Sequence, residues 1–248
     1  FLPYGIAIIV MTIIVRLALS PVTYKSYLSQ AKMKVLRPEI NALNDKYGND
    51  RAKKQQETMK LYTKAGANPM AGCVPSLLQL PVFLGLFYFF PVAFSLRGKS
   101  FLWAEDLSSY DAIAELPFSI PFYGDHVSLF PLLASIAIFV YSKMTMGQQM
   151  QPSQPGMPNM KFMIYLMPIM MLFFFNNYAS GLSLYYLISN LITIGIMLVI
   201  KNYIIDEEKI FLKIEENKKK PKKQSRFQRK MEEMMEQAEQ QRRSGRRR

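Results

Sequence analysis

Residues 4–21 read YGIAIIVMTIIVRLALSP, an apolar run long enough to cross a bilayer, with one full charge, Arg16, well inside it. Along a helix Arg16 lies roughly 18 Å from Tyr4 and roughly 13 Å from the next cation, Lys25, at ~1.5 Å rise per residue. That is a little past the middle of a ~30 Å hydrocarbon core, where an arginine costs at least ~2.5–3.5 kcal/mol. A lipid-facing guanidinium is therefore disfavoured. Snorkelling toward Lys25 would take most of the side chain's reach plus local thinning, and the favoured reading points Arg16 into a wet cavity shared by several helices. Thr12 and Ser20, one turn to either side, complete a polar stripe.

Half of the 248 residues are hydrophobic and are gathered into long blocks, while the charges, net +13, concentrate in others. That layout belongs to membrane proteins. The expected fold class is an all-α polytopic membrane protein, a five-transmembrane-helix bundle with a cytoplasmic helical hairpin. The expected spans are residues 1–24, 69–96, 126–146, 161–178 and 182–203. Between them lie a hairpin (25–68), an extracytoplasmic loop (97–125) and a cytoplasmic linker (147–160), and a basic cytoplasmic tail (204–248) follows. The chain begins at Phe1 without an initiator Met or signal peptide, so it is taken as a piece of a longer protein.

Between Lys25 and Asn68 ten Lys/Arg face four acids. Leu36, Ile40, Leu43 and Tyr47 make one helical stripe, Pro38-Glu39 suits its first turn, and Gly48-Asn49-Asp50 a connection. Ala52, Met59 and Tyr62 give the returning helix an apolar side. A solvated hairpin and a docking surface both fit. Residues 97–125 hold two cations and five acids, with Trp103, Tyr110 and Tyr123 as interface anchors, Pro117 and Pro121 as breakers, and 101–116 expected as a short interfacial helix. The linker is Pro/Gln/Met-rich and expected to be irregular and mobile. Nine of the seventeen methionines fall between Met144 and Met171, which suits adaptable contact, although lipid-facing packing is favoured within the span. From Lys201 to Arg248 the tail carries sixteen cations and nine acids and reads as an exposed helix running into a disordered basic segment. By the positive-inside bias, hairpin, linker and tail are cytoplasmic and the Phe1 end is outside.

Gln79 lies mid-span with Ser76 three residues before it. This second polar face either meets the Arg16 stripe or glues helices together. Ser183, Tyr186, Asn190 and Thr193 line one face of the last span as a third stripe. The single Cys73 and single His126 exclude an internal disulfide and leave no zinc site, and no cofactor is expected. His126 is read as an interface residue. Paired intramembrane carboxylates, HExxH, GxSxG and Gly-rich phosphate loops are all lacking, so the chain is read as not an enzyme. Two classes fit a lone intramembrane cation among polar stripes: a small-anion transporter or channel, and an insertase that lets polar stretches of a new membrane protein cross while its apolar segment passes into lipid. Transporters commonly show internal repeats, and none is evident here.

Three stretches, IVRLALSPVTYKSYLSQAKM, NPMAGCVPSLLQLPVFLGLFYFF and SGLSLYYLISNLITI, stand in the order and spacing of signature regions of the YidC/Oxa membrane insertases. From Tyr4 to about Tyr203 the chain resembles that family, most closely its bacterial form. The resemblance implies a bundle with a hydrophilic groove open to the cytoplasm and to lipid and closed outside. Arg16 would be the groove cation and Gln79 a neighbour, while Thr12, Leu80, Phe83, Phe174 and Tyr186 fall where the family contacts a client's transmembrane segment. Joined to the stripes, this gives Arg16, Thr12, Ser20, Gln79 and Asn190 as candidate groove residues and Leu80, Phe83, Phe174 and Tyr186 as candidate contacts. Asn176-Asn177-Tyr178 is more polar than expected at a span end. The implied setting is the bacterial inner (plasma) membrane, with nascent membrane proteins, the lipid bilayer, the Sec translocon and, through the basic tail, the ribosome as partners. Anionic lipid is the other reading of the tail. A first span and a large extracytoplasmic domain are expected ahead of Phe1.

Overall fold

The computed structural model describes residues 3–48, 50–72, 74–146 and 160–219. The chain divides into two compact units, one of Phe1–Tyr27 and Cys73–Ile204, the other of Leu28–Gly72 and Ile205–Arg248.

The first unit is a bundle of apolar helices. Its members are α1 (Tyr4–Val35) as far as Tyr27, α4 (Val74–Val92), α5 (Leu129–Met146), α6 (Met160–Asn176) and α7 (Ser180–Val199), which ends in a π-helical turn, Ile200–Ile204. Tyr4–Val35, Val74–Val92 and Ser180–Ile204 are long and apolar enough to cross a membrane, and α5 and α6 are apolar but shorter. Ile14, Leu17, Leu77 and Leu84 on α1 and α4 lie exposed, as lipid-facing surfaces do. The architecture is that of a helical membrane protein. Its core gathers Phe90, Phe130, Phe175, Leu182, Leu184 and Tyr185 with Leu96, Ala104 and Leu107 from the segment between α4 and α5.

That segment departs from expectation. Residues 101–116 form no helix; the chain makes a hairpin of β1 (Ala112–Ile120) and β2 (Gly124–Ser128). The reason is local competition for the backbone. Asp106 Oδ1 accepts from both the amide and the hydroxyl of Ser108 at 2.8 Å, closing a turn where a helix would have to continue. These bonds, against burial, hold the Asp106 carboxyl below its usual range. The strands pair Ala112 with Ser128, Glu115 with His126 and Ile120 with Gly124, and the irregular stretch between Glu115 and Ile120 absorbs Pro117.

The first helix also overruns its expected end at residue 24. It continues to Val35 with Pro21 inside it, because YKSYLSQAKMKV offers neither glycine nor proline to stop it.

In the second unit the end of α1 joins α2 (Arg37–Tyr47), α3 (Arg51–Ala65) and α8 (Glu207–Lys219). Pro38 opens α2, Asp50 Oδ1 caps α3 by accepting from Lys53 N, and Gly66 at φ +68° ends it. Leu36, Ile40, Tyr62 and Ala65 are buried together with Ile210 and Ile214 of α8. The start of the tail is thus a docked helix and not an exposed one. Lys218 ties it to Glu39 at 2.6 Å and to Glu215 at 3.0 Å. Burial works against its charge, yet the two carboxylates prevail and hold the ammonium above its ordinary range. The linker residues 147–159 and tail residues 220–248, like Asn49 and Cys73, lie outside the described residues.

Candidate functional site

Arg16 is half-buried on α1 and its Nε donates to Ser189 Oγ of α7 at 2.5 Å. Among the described residues no carboxylate pairs with it, and a guanidinium has five N–H donors to satisfy. Its charge reaches the hydroxyls of Tyr27 and Tyr186. A cation so placed, with donors to spare, favours an anion or water beside it.

The other expected groove residues divide by where their polar atoms go. Thr12 is wholly buried and donates to Ile8 O of its own helix at 2.7 Å. Asn190 Nδ2 donates to Tyr186 O at 2.7 Å, again within one helix. Their polarity is largely spent on backbone carbonyls. Ser20 is half-buried, four residues after Arg16. Gln79 lies against the Tyr186 hydroxyl, and among the described residues its Nε2 is buried without a well-formed hydrogen bond, as are Ser183 Oγ and Tyr185 Oη. Ser189 escaped the stripe drawn through Ser183, Tyr186, Asn190 and Thr193. The Ser-Asn pair in mid-span, with Ser189 three residues after Tyr186 and four before Thr193, was the available signal.

Three of the four expected contact residues come together. The Phe83 ring lies 6.5 Å from Phe174 and 6.0 Å from Tyr186. Phe87 sits 5.6 Å from Phe83 and 5.7 Å from Phe174, and Tyr178 stacks on Phe87 at 4.4 Å while donating its hydroxyl to Phe87 O. Leu80, one turn before Phe83 on α4, is 55% exposed and stands outside the aromatic cluster. Tyr186 belongs both to this cluster and to the surroundings of Arg16, since Ser189 follows it by one turn of α7.

At the hairpin end of the same unit most polar groups are bonded to one another, Asp111 Oδ1 being a buried exception among the described residues. Asn176 is fully buried: Oδ1 accepts from Ser128 N at 3.0 Å, and Nδ2 donates to Tyr123 O at 2.8 Å and His126 O at 2.9 Å. Its carbonyl accepts from Ser128 Oγ at 3.0 Å and from His126 Nε2 at 2.9 Å. Asp111 Oδ2 accepts from Trp103 Nε1 at 2.9 Å and from the Leu129 and Phe130 amides at 3.0 and 2.9 Å, filling the open N–H groups at the start of α5. Burial nonetheless pushes its carboxyl up. The start of α7 is met likewise: Ser180 N donates to Ser109 O at 2.7 Å and Gly181 N to Leu107 O at 3.0 Å. His126, expected at the interface, is buried in this clamp and stacked on Tyr110 at 4.1 Å. Among the described residues no group of side chains could hold a metal ion.

The family model of the 60Kd inner membrane protein matches residues 1–208. The chain is 52% identical over 229 residues to the membrane protein insertase YidC of Parabacteroides distasonis, covering 88% of this chain and 35% of that protein. To the YidC of Bacteroides fragilis it is 48% identical over 223 residues, covering 89% and 36%. It is also similar to a crystal structure of an active YidC insertase with its first transmembrane domain resolved, at a TM-score of 0.54 and 31% identity over 82% of this chain and 42% of that one. The chain thus spans 35–36% of the length of these two curated relatives. With the family model running from the first residue through the last apolar helix, the chain belongs to the 60Kd inner membrane protein family, that of the YidC-type insertases.

Proposed function

We propose that this chain is the membrane-embedded core of an insertase that receives nascent membrane proteins and releases their apolar segments into the lipid of the bacterial inner membrane. The observation that carries the reading is Arg16: a cation in mid-span bonded to a serine hydroxyl, with no carboxylate partner among the described residues, beside an aromatic cluster. A client's short polar segment, often acidic, is drawn to the guanidinium and exchanges water for Arg16, Ser20, Gln79 and Ser189, within walls completed by Thr12 and Asn190. Its apolar helix meanwhile slides along Leu80, Phe83, Phe174 and Tyr186. Partitioning into lipid at ~0.8 kcal/mol per buried CH₂ drives the step. Nothing is hydrolysed, and the chain works without a cofactor. The groove opens to the cytoplasm, and the Asn176–Asp111 clamp closes its outer end. The hairpin and tail face the cytoplasm, where the basic tail meets the ribosome, and the Sec translocon is a working partner. The relatives, named as insertases, lend no support to a small-anion transporter or channel.

The test is insertion by the full-length protein in vesicles of a client whose translocated segment is acidic. Arg16→Ala is expected to abolish most insertion and Arg16→Lys to retain it, since a point charge suffices; full activity of the alanine variant overturns the electrostatic step. Cysteines at positions 16, 79 and 186, with Cys73 removed, are expected to label from the cytoplasmic side only. Removing residues 220–248 alone leaves Ile210 and Ile214 in place, and should reduce ribosome co-sedimentation more at low than at high salt.

A further inference from the structure

The β1–β2 hairpin shows its apolar residues outward: Ile113 is 48%, Phe118 60% and Phe122 93% exposed. Phe122 adopts φ +66°, a left-handed conformation that tight turns ordinarily give to glycine or asparagine and that is unfavourable for a bulky residue. The fold holds it there. Asn176 and Asn177 each donate through Nδ2 to Tyr123 O at 2.8 Å, and Asn177 reaches Phe122 O at 3.5 Å. Tyr123 turns inward against Phe173 at 5.3 Å, so the same turn buries one ring and thrusts its neighbour out.

We propose that this hairpin is a lipid anchor, with Phe118 and Phe122 inserted at the headgroup–acyl boundary of the leaflet at that end of the bundle. The occupant follows from what the hairpin is tied to. Ser128, the last residue of β2, runs directly into the apolar helix α5, and Asn176, which clamps the turn, ends the apolar helix α6. Both helix ends mark where hydrocarbon gives way to headgroups, the level at which aromatic rings settle. Residues 97–125 carry two cations and five acids, so anionic headgroups would repel the segment. The attraction is apolar and directed to the acyl region.

The test places a nitroxide at Phe118→Cys or Phe122→Cys in the full-length protein with Cys73→Ser, reconstituted in phosphatidylcholine vesicles. Collisional access is measured with oxygen, which favours lipid, and with a nickel chelate, which favours water. Ile14→Cys on the exposed face of α1 and Lys64→Cys on α3 give the lipid and aqueous limits. Both hairpin sites are expected to shift toward the oxygen-rich ratio of position 14 and to stay there when anionic lipid is added. A nickel-rich ratio like that of position 64 overturns the proposal, because the turn then stands in water. Low access to both reagents also overturns it, because a second copy or other parts of the protein then cover the turn. Since both native side chains are exposed, neither substitution empties the core, and agreement of the two sites guards against a local distortion at either one.

Discussion

Ser180 and Ser189 lie roughly 14 Å apart along α7 by helical rise, and the polar groups around them are treated in opposite ways. Near Ser180, most side chains and loop carbonyls answer one another, with Asp111 Oδ1 and Ser183 Oγ as buried exceptions among the described residues: the amide of Asn176 bonds at both ends, Asp111 receives three donors on its other oxygen, and the first N–H groups of α7 find loop carbonyls. Near Ser189, Arg16 has one bonded N–H and the Gln79 Nε2 is buried without a well-formed bond among the described residues. Buried polar groups that are mutually satisfied specify one arrangement; those left open are costly unless something else enters. The first region is a clamp, and the second keeps donors of a half-buried cation open.

The largest effect should come from breaking the clamp. Asn176→Ala removes the side-chain partner of the Ser128 N–H and of the His126 carbonyl in the interior, while Tyr123 O keeps Asn177, and should cost about 3 kcal/mol, read as a lower melting temperature in detergent. A variant that melts like the parent would erase the distinction between the regions. Arg16→Ala should leave melting nearly unchanged while lowering insertion of an acidic client roughly thirtyfold, as expected for loss of about 2 kcal/mol of charge-assisted bonding; a fall in stability without a fall in insertion would make Arg16 structural.

Asp111 sharpens the contrast through pH. Its folded carboxyl is raised by burial, against the bonds it receives from Phe130 and Trp103, so it favours the folded state while protonated, and that contribution fades as pH rises above roughly 4 toward the folded value. Asp111→Asn should lose this drift and melt within about 1 kcal/mol of the parent, because all three bonds converge on one oxygen that an amide can supply. Asp111→Ala should lose about 1–2 kcal/mol with the cap. Ser189→Ala should be mildest, within about 1 kcal/mol in stability and with insertion largely kept, because a guanidinium already short of partners loses only one more.

The legibility of these regions in the sequence follows the same contrast. A lone charge stands out within a run of eighteen mostly apolar residues, so Arg16 and its stripe could be read directly from residues 4–21. The grouping of Phe83, Phe174 and Tyr186 came only through the family resemblance, since α4, α6 and α7 meet across long sequence separations. The clamp was hidden for the same reason: Asn176 looked merely too polar for a span end, and its partners Tyr123, His126 and Ser128 lie about fifty residues earlier. The hairpin replaced an expected helix because Asp106 and Ser108 closed a turn that hydrophobic pattern alone does not reveal. The four-residue spacing of Ile210 and Ile214 did carry the docked face of α8, although the charge around it had suggested exposure.

Gly181 carries a last consequence. A Cβ there would meet the Phe90 ring at 2.7 Å and Leu107 O at 2.9 Å, and one at Gly5 would strike the Phe101 ring. The loop therefore seats itself in hollows made by two absent side chains, and its fit at this end is a matter of volume as well as of bonding. A single methyl at position 181 would act as a wedge, prising the loop off the start of α7 while leaving every charge where it was.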